Sequence, residues 1–320
     1  MGGSVAGAGG RRPILRSGRR ELMRAARSEA HHRERGKITG VPAASLQRLR
    51  DLVRGPLSGA VVLGSGLGGL LDRWRPEARL ALSALPGFPI ASVPGHPGSV
   101  ALARFEAGAA VLVFQGRVHF YEGYPRAAVT CAVRTAAALG ARWLLLTNAS
   151  GSCEETTTPG SVLVIEDHLR LLMGPTAARG AVPGPPRRGS PYDPRRTEAA
   201  FRILGETGLR TMRGTLYGGL GPNYETAAEV EMIRRLGAQA ACMSTVVEAE
   251  EGARLGLEVA ALSLVTNYCT GLARGPLDHA EVIDQGARVG PELARAIDRL
   301  VRHWCGAPRQ GASATPPAPE

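Results

Sequence analysis

Five short apolar runs, interrupted only by Ser263, limit what this chain can become: residues 60–63, 110–114, 143–146, 162–165 and 260–265. Each has the length of a strand and none alternates apolar with polar residues, so each is expected to be buried on both faces of a sheet. Helical patterns lie between them, at about 43–54, 126–139, 197–206, 225–236 and 246–255. Strands alternating with helices predict an α/β layered fold. A last helix is expected after Asp278, which can cap it with Glu281 three positions on. Val282, Val289, Leu293, Ile297, Leu300 and Trp304 then recur on one face, and Gly290-Pro291 is expected to kink or break the helix. The stretch 173–196 carries six prolines and is expected to be a long irregular segment.

The ends differ from this middle. Residues 1–40 hold nine arginines and Lys37 against three glutamates, so seven of the chain's eleven net positive charges sit there. The other 280 residues carry the remaining four, which argues against a nucleic-acid-binding surface on the folded part. The N-terminal stretch has no apolar signal region, and Glu21, Glu29 and Glu34 weaken a mitochondrial transit reading. We expect residues 1–40 to be a basic disordered extension, 41–305 one folded domain and 306–320 a loose tail. No apolar run approaches the roughly 18 residues of a membrane span. Five scattered cysteines without a C-x-x-C pair fit reduced thiols and neither a disulfide framework nor a zinc site.

Chemistry concentrates where the apolar runs end. Gly64-Ser65-Gly66-Leu67-Gly68-Gly69 satisfies G-x-G-x-x-G, whose glycines let backbone N–H groups close on a phosphate. A dinucleotide site would also want an acidic residue about 20 positions later. None occurs between Glu77 and Glu106, so the loop reads as an anion site without a dinucleotide. After the run 110–114 comes Gln115-Gly116-Arg117-Val118-His119-Phe120-Tyr121-Glu122-Gly123. If the extended spacing persists, Arg117, His119 and Tyr121 project to one side and offer a cation, a titratable donor and a hydroxyl. The alternative is an exposed edge of ordinary polar side chains. Further polar segments are Pro94-Gly95-His96, Thr147-Asn148-Ala149, Gly221-Pro222-Asn223-Tyr224-Glu225-Thr226, Met243-Ser244-Thr245-Val246 and Thr266-Asn267.

Taken together and in this order, these segments resemble the trimeric-type purine nucleoside phosphorylases, a family that also contains methylthioadenosine phosphorylase. The resemblance spans the chain from about residue 60 to the last helix. It implies one α/β domain with a mixed central sheet flanked by helices, and attack of inorganic phosphate on C1′ of a purine nucleoside. The implied phosphate site is Ser65, His96, Arg117, His119, the backbone N–H of Ala149, and Ser244. The implied sugar site is Tyr121, Met243 and His279. The base site would be Tyr224 for stacking, with Glu225 and Asn267 at the ring edge. An ionised Glu225 can only accept, which suits the N1–H of a 6-oxopurine such as inosine or guanosine. Asn267, His119 and Glu225 are the implied catalytic residues. The resemblance implies no cofactor or metal besides phosphate as co-substrate, a homotrimer, no nucleic-acid or membrane partner and a cytoplasmic location.

The sequence departs from the family pattern at four places. The segment 173–196 is short and has no phenylalanine; Cys153-Glu154-Glu155 puts two carboxylates near an anion site; Val247 replaces a proline; and Tyr268-Cys269-Thr270 replace small residues beside Asn267. Three readings follow: a 6-oxopurine nucleoside phosphorylase, a phosphorylase of altered specificity such as for methylthioadenosine or adenosine, or a nucleoside- or phosphate-binding relative with little turnover.

Overall fold

The structure is a computed structural model that describes residues 40–55, 57–64, 67, 69–91, 98–171, 189–273 and 279–306. All five apolar runs are strands. In chain order the elements are α1 (Ala43–Val53), β1 (Leu57–Leu63), α2 (Gly69–Trp74), β2 (Ala78–Ala81), β3 (Ser99–Arg104), β4 (Ala110–Gln115), α3 (Arg126–Val129), α4 (Cys131–Ala138), β5 (Trp143–Ser152) and β6 (Val162–Arg170). They continue with α5 (Pro194–Gly205), β7 (Thr211–Gly218), α6 (Ala227–Arg235), β8 (Ala238–Cys242), α7 (Val246–Arg254), β9 (Glu258–Tyr268) and α8 (His279–Gly306).

The strands form one mixed sheet in the order β2-β3-β4-β1-β5-β8-β7-β6-β9, and β9 also pairs with β5. The last five strands of that order therefore close into a ring, with β1, β4, β3 and β2 extending from it. β5 is the seam. It runs parallel to β1 and to β9, and its last residues, Gly151 and Ser152, meet Ala241 and Ala240 of antiparallel β8.

Both faces of the central strands are covered, as their unbroken apolar runs require. Ala60, Val62, Leu112, Phe114, Leu144 and Leu146 pack with Leu49 and Val53 of α1, Val133 of α4 and Ala249 of α7. The alternate residues Val61, Leu63, Val111, Val113 and Leu145 pack with Leu70, Leu71 and Trp74 of α2, Ile203 and Leu204 of α5, and Leu293, Ile297 and Leu300 of α8. The period-2 geometry of a strand divides each run between the two layers. Trp304 closes α8 onto Trp143 edge to face, with ring centroids 5.2 Å apart.

Several sequence expectations need correction. α8 runs unbroken through Pro291, because the residues after it are buried one turn after another down to Trp304 and hold the helix on the sheet. α5 starts at Pro194, three residues early: Asp193 caps it by accepting from the N–H groups of Arg195 and Arg196, and Pro194 stands where a helix needs no N–H donor. The expected helix 126–139 is two, with Thr130 at the junction between them. β2, β3, β7, β8 and α2 were not among the expected elements. β7 carries Arg213 and Gly214, and β8 is built of Ala, Gln and Cys, so neither presents the β-branched run that marks a strand.

Candidate active site

The polar segments among the described residues gather at the C-terminal ends of β1, β4, β7, β8 and β9 and along the C-terminal half of β5, on the side where α/β sheets place their ligands. On one side lies a cationic group. β4 stops at Gln115, and Arg117 turns inward until its side chain is only 3% exposed. Its Nη1 donates to Thr147 O at 2.6 Å and to Ser244 Oγ at 3.4 Å, and its Nη2 donates to Val62 O at 3.4 Å. Its Nε lies 3.2 Å from Glu248 Oε2, a carboxylate that is itself 1% exposed. Gly64, the first glycine of the anion loop, donates its N–H to Thr147 Oγ1, and a Cβ there would come within 2.7 Å of Thr147 O. Close approach of two backbones therefore requires glycine at this position.

Ser244 is aimed by an unusual turn. Val246 N donates to Ser244 O at 2.8 Å across Thr245, whose φ of 73° and ψ of −52° belong to the strained γ-turn. A buried threonine holds this conformation because its surroundings fix it. Asn148 Nδ2 donates to Thr245 Oγ1 at 2.8 Å, and Thr245 N donates to Glu248 Oε2 at 3.2 Å. Asn148 is fixed in turn, its Oδ1 accepting from Ser263 Oγ. That hydroxyl has one proton, so at Ser150 it accepts, the two oxygens being 2.6 Å apart. Ala149 lies between Asn148 and Ser150 in β5, partly exposed.

The middle of the site is a stack. The rings of His119 and Tyr121 lie 4.8 Å apart and 11° from parallel. They meet through a short 3₁₀ turn, Phe120–Glu122, and the extended alternation expected from the sequence ends at His119. Glu122 Oε1 accepts from the His119 backbone N at 2.8 Å and lies 3.0 Å from Nδ1. A carboxylate only accepts, so Nδ1 carries the proton and Nε2 is left to face other partners. Burial, then the charges of Glu122 and Tyr224, push the Tyr121 hydroxyl up to about 12, so it stays a neutral donor. Gly221 wedges between Tyr121 and Met243. A Cβ on it would lie 2.5 Å from Met243 Sδ and 2.7 Å from the Tyr121 ring, and its φ is +66°.

On the far side stand Tyr224, Glu225 and Asn267. Tyr224 is 46% exposed at the rim. Glu225 packs by Gly219, where a Cβ would lie 3.2 Å from its Oε1, and burial raises its pKa above the ordinary carboxylate range. Asn267, near the end of β9, is oriented by Thr266 Oγ1, which donates to its Oδ1 at 2.9 Å; Asn267 Nδ2 donates to Tyr268 O at 3.0 Å. Behind it Cys153 Sγ and Cys269 Sγ lie 3.8 Å apart, both as free thiols. The contact with Cys153, followed by burial, raises the Cys269 thiol above its usual range.

Of the residues singled out in the sequence, Arg117, His119, Tyr121, Ala149, Tyr224, Glu225, Met243, Ser244 and Asn267 come to this one end of the sheet. Ser65 and His96 lie outside the described residues, as does Asp278. His279 opens α8, and its side chain is outside them too. Sequence reasoning passed over Glu122, Thr147, Asn148, Thr245 and Glu248. Two of these carried a signal: Thr245-x-x-Glu248 has capping-box spacing, and Glu122 follows His119 by three. Among the described residues no three His, Cys, Asp or Glu side chains converge so as to hold a metal ion, and no helix is long and apolar enough to cross a membrane.

Residues 60–302 match the family model of the phosphorylase superfamily. Purine nucleoside phosphorylase 1 of Geobacillus stearothermophilus is 37% identical over 248 residues, which cover 76% of this chain and 90% of that protein. The purine nucleoside phosphorylase of Mycobacterium tuberculosis is 39% identical over 248 residues, 75% of this chain and 89% of the relative. Among solved structures, Schistosoma mansoni purine nucleoside phosphorylase in complex with inosine superposes with a TM-score of 0.71 at 26% identity, covering 83% of this chain and 96% of that one. The same protein in complex with adenosine gives 0.72 at 26% identity, with the same coverage.

Proposed function

The chain belongs to the phosphorylase superfamily, and on that premise we propose that it is a purine nucleoside phosphorylase, splitting 6-oxopurine nucleosides and their deoxy forms with inorganic phosphate into free base and pentose 1-phosphate. The observation that carries the reading is continuity. Arg117 touches Ser244, Ser244 adjoins Met243, and Met243 shares Gly221 with Tyr121, so an anion-binding group runs into a sugar-sized wall without an intervening element.

Each group has a physical task in that reaction. Ser65, His96, Arg117, His119, Ser244 and the Ala149 N–H hold phosphate, whose charge both attacks C1′ and offsets the positive sugar of the transition state. Tyr121, Met243 and His279 hold the sugar. Tyr224 stacks on the purine. Glu225 accepts from N1–H, and the amide of Asn267 donates to O6 and accepts from N7–H as the leaving base gains charge. Phosphate is the co-substrate, and the reaction asks for no metal. The protein acts as a cytoplasmic homotrimer in purine salvage.

The test is release of free base from inosine, guanosine, adenosine and methylthioadenosine, with and without phosphate. Phosphate-dependent formation of hypoxanthine and guanine is the expected result. Nucleoside and phosphate binding by calorimetry without turnover on any of the four would overturn it.

A further inference from the structure

Arg117 owes its position to a residue that lies outside the proposed ligand set. The guanidinium is buried, and three of its protein contacts are neutral oxygens, those of Thr147, Ser244 and Val62. Among the described residues its one charged partner is Glu248, 3.2 Å from Nε. A buried carboxylate is costly unless its lone pairs are used. Glu248 turns one oxygen to two groups, pairing by charge with Arg117 Nε and accepting a hydrogen bond from Thr245 N–H, while its Oε1 and Arg117 Nε have no hydrogen-bond partner among the described residues. Such an investment in a half-satisfied buried ion has little value for stability alone, since an apolar residue of similar volume would fill the space better. Glu248 and Arg117 also line the same small apolar cavity, with Phe88, Phe114, Val118 and Val129, and among the described residues that line it no other side chain is charged.

We propose that Glu248 is the positioning residue of the phosphate site. It pulls on the Nε edge of Arg117 and, through Thr245 N–H, on the γ-turn that presents Ser244, so one carboxylate sets the spacing between two phosphate donors. Both ends of this device are fixed elements: Glu248 is in the first turn of α7, and Arg117 is anchored to the end of β1 through Val62 and to the middle of β5 through Thr147. The ligand served is an inorganic phosphate oxyanion, and the inference rests on the phosphorolytic reading of the site.

The experiment compares the wild type with Glu248→Gln and Glu248→Leu. Gln is isosteric and still accepts from Thr245 N–H, so the fold is retained; Leu fills the volume and removes both the ion pair and the hydrogen bond. The readouts are KM for phosphate and for inosine, kcat at saturating phosphate, and the phosphate concentration that half-saturates protection against thermal unfolding. The expected result is a rise in phosphate KM and in the half-saturating concentration of about tenfold for Gln and more for Leu. Inosine KM should stay within about twofold and kcat within about threefold. A purely structural residue would lower the unfolding temperature and leave both phosphate readouts unchanged, which overturns the inference. Tighter phosphate binding in either variant also overturns it, because Glu248 would then only damp the charge of Arg117. Loss of turnover in the wild type with phosphate protection intact would instead strike the phosphorolytic reading.

Discussion

The imidazole of His119 lies flat against the ring of Tyr121, 4.8 Å between centroids, while its Nδ1 is tied to Glu122 at 3.0 Å. Two groups thus hold one ring in one plane, and each can be removed separately. Stacked aromatic pairs contribute about 0.5–1.5 kcal/mol beyond their buried area. Tyr121→Phe keeps the stack and loses the hydroxyl, so nucleoside KM should rise with little change in unfolding temperature. Tyr121→Ala loses both, and phosphate KM should then rise as well, since His119 is held only through Glu122. Steady-state kinetics in both substrates, with a thermal melt, separate the two.

Asn267 is oriented by Thr266, which donates to its Oδ1. Asn267→Asp turns the amide edge into a pure acceptor and should shift preference from 6-oxo toward 6-aminopurines. The ratio of kcat/KM for inosine to that for adenosine should fall by tenfold or more, in keeping with about 1–3 kcal/mol for an unpaired buried polar group. An unchanged ratio would place Asn267 away from the base.

Glu225 gives the site a dependence on pH. Burial raises its pKa, so the acceptor that N1–H needs is lost as pH falls through that raised value. Inosine KM should rise on the acid side at a pH above the usual glutamate range, and Glu225→Gln, whose oxygen accepts at any pH, should flatten that limb. The sign for folding is the reverse of a salt-bridged carboxylate. The protonated form is favoured in the folded chain, so its contribution to stability is present at low pH and is lost as pH rises through the raised value. A purine that donates to the carboxylate offsets that loss.

Gly221 separates Tyr121 from Met243. Gly221→Ala would put a methyl 2.5 Å from Met243 Sδ at a backbone angle that side chains avoid. One or both sugar-side residues must move, so kcat/KM for inosine should drop more than tenfold while circular dichroism shows the fold intact.

Far from the site, Trp74 Nε1 donates to Asp298 Oδ1 at 2.8 Å in the buried contact between α2 and α8. Asp298→Ala leaves that donor unpaired, at about 1–3 kcal/mol. The melting temperature should fall by several degrees, with room-temperature kinetics unchanged.

The sequence announced its layers through runs such as Val61-Val62-Leu63, because burial on both faces leaves an unbroken apolar stretch. It did not announce β7 or β8, whose glycines, alanines and Gln239 fit only because of their neighbours; the Gln239 side chain accepts from Thr215 N in place of a backbone group. At the site, the residues expected to touch ligand stood out because they are polar groups at the ends of strands. The residues that hold them were quieter. Thr245 looks like an ordinary helix cap until the γ-turn is seen, and Glu248 like one more acid on an amphipathic helix. Their partners, Asn148 and Arg117, are about a hundred residues or more away in sequence, so local pattern could not pair them.

The ring made by β5, β8, β7, β6 and β9 also decides how copies of the chain can meet. A closed ring offers no row of unsatisfied amides to a stranger, and on the open wing only the outer side of β2 lacks a partner strand among the described residues. β2 is four residues long, and its exposed Arg79 is turned back to Ser99 and Gln115. A strand so short and charged is a poor seed for sheet-to-sheet growth. Self-association of this chain must therefore be written in helix faces and loops, where contacts can be specific and reversible, and the sheet is left free to serve as a rigid frame for the chemistry at its ends.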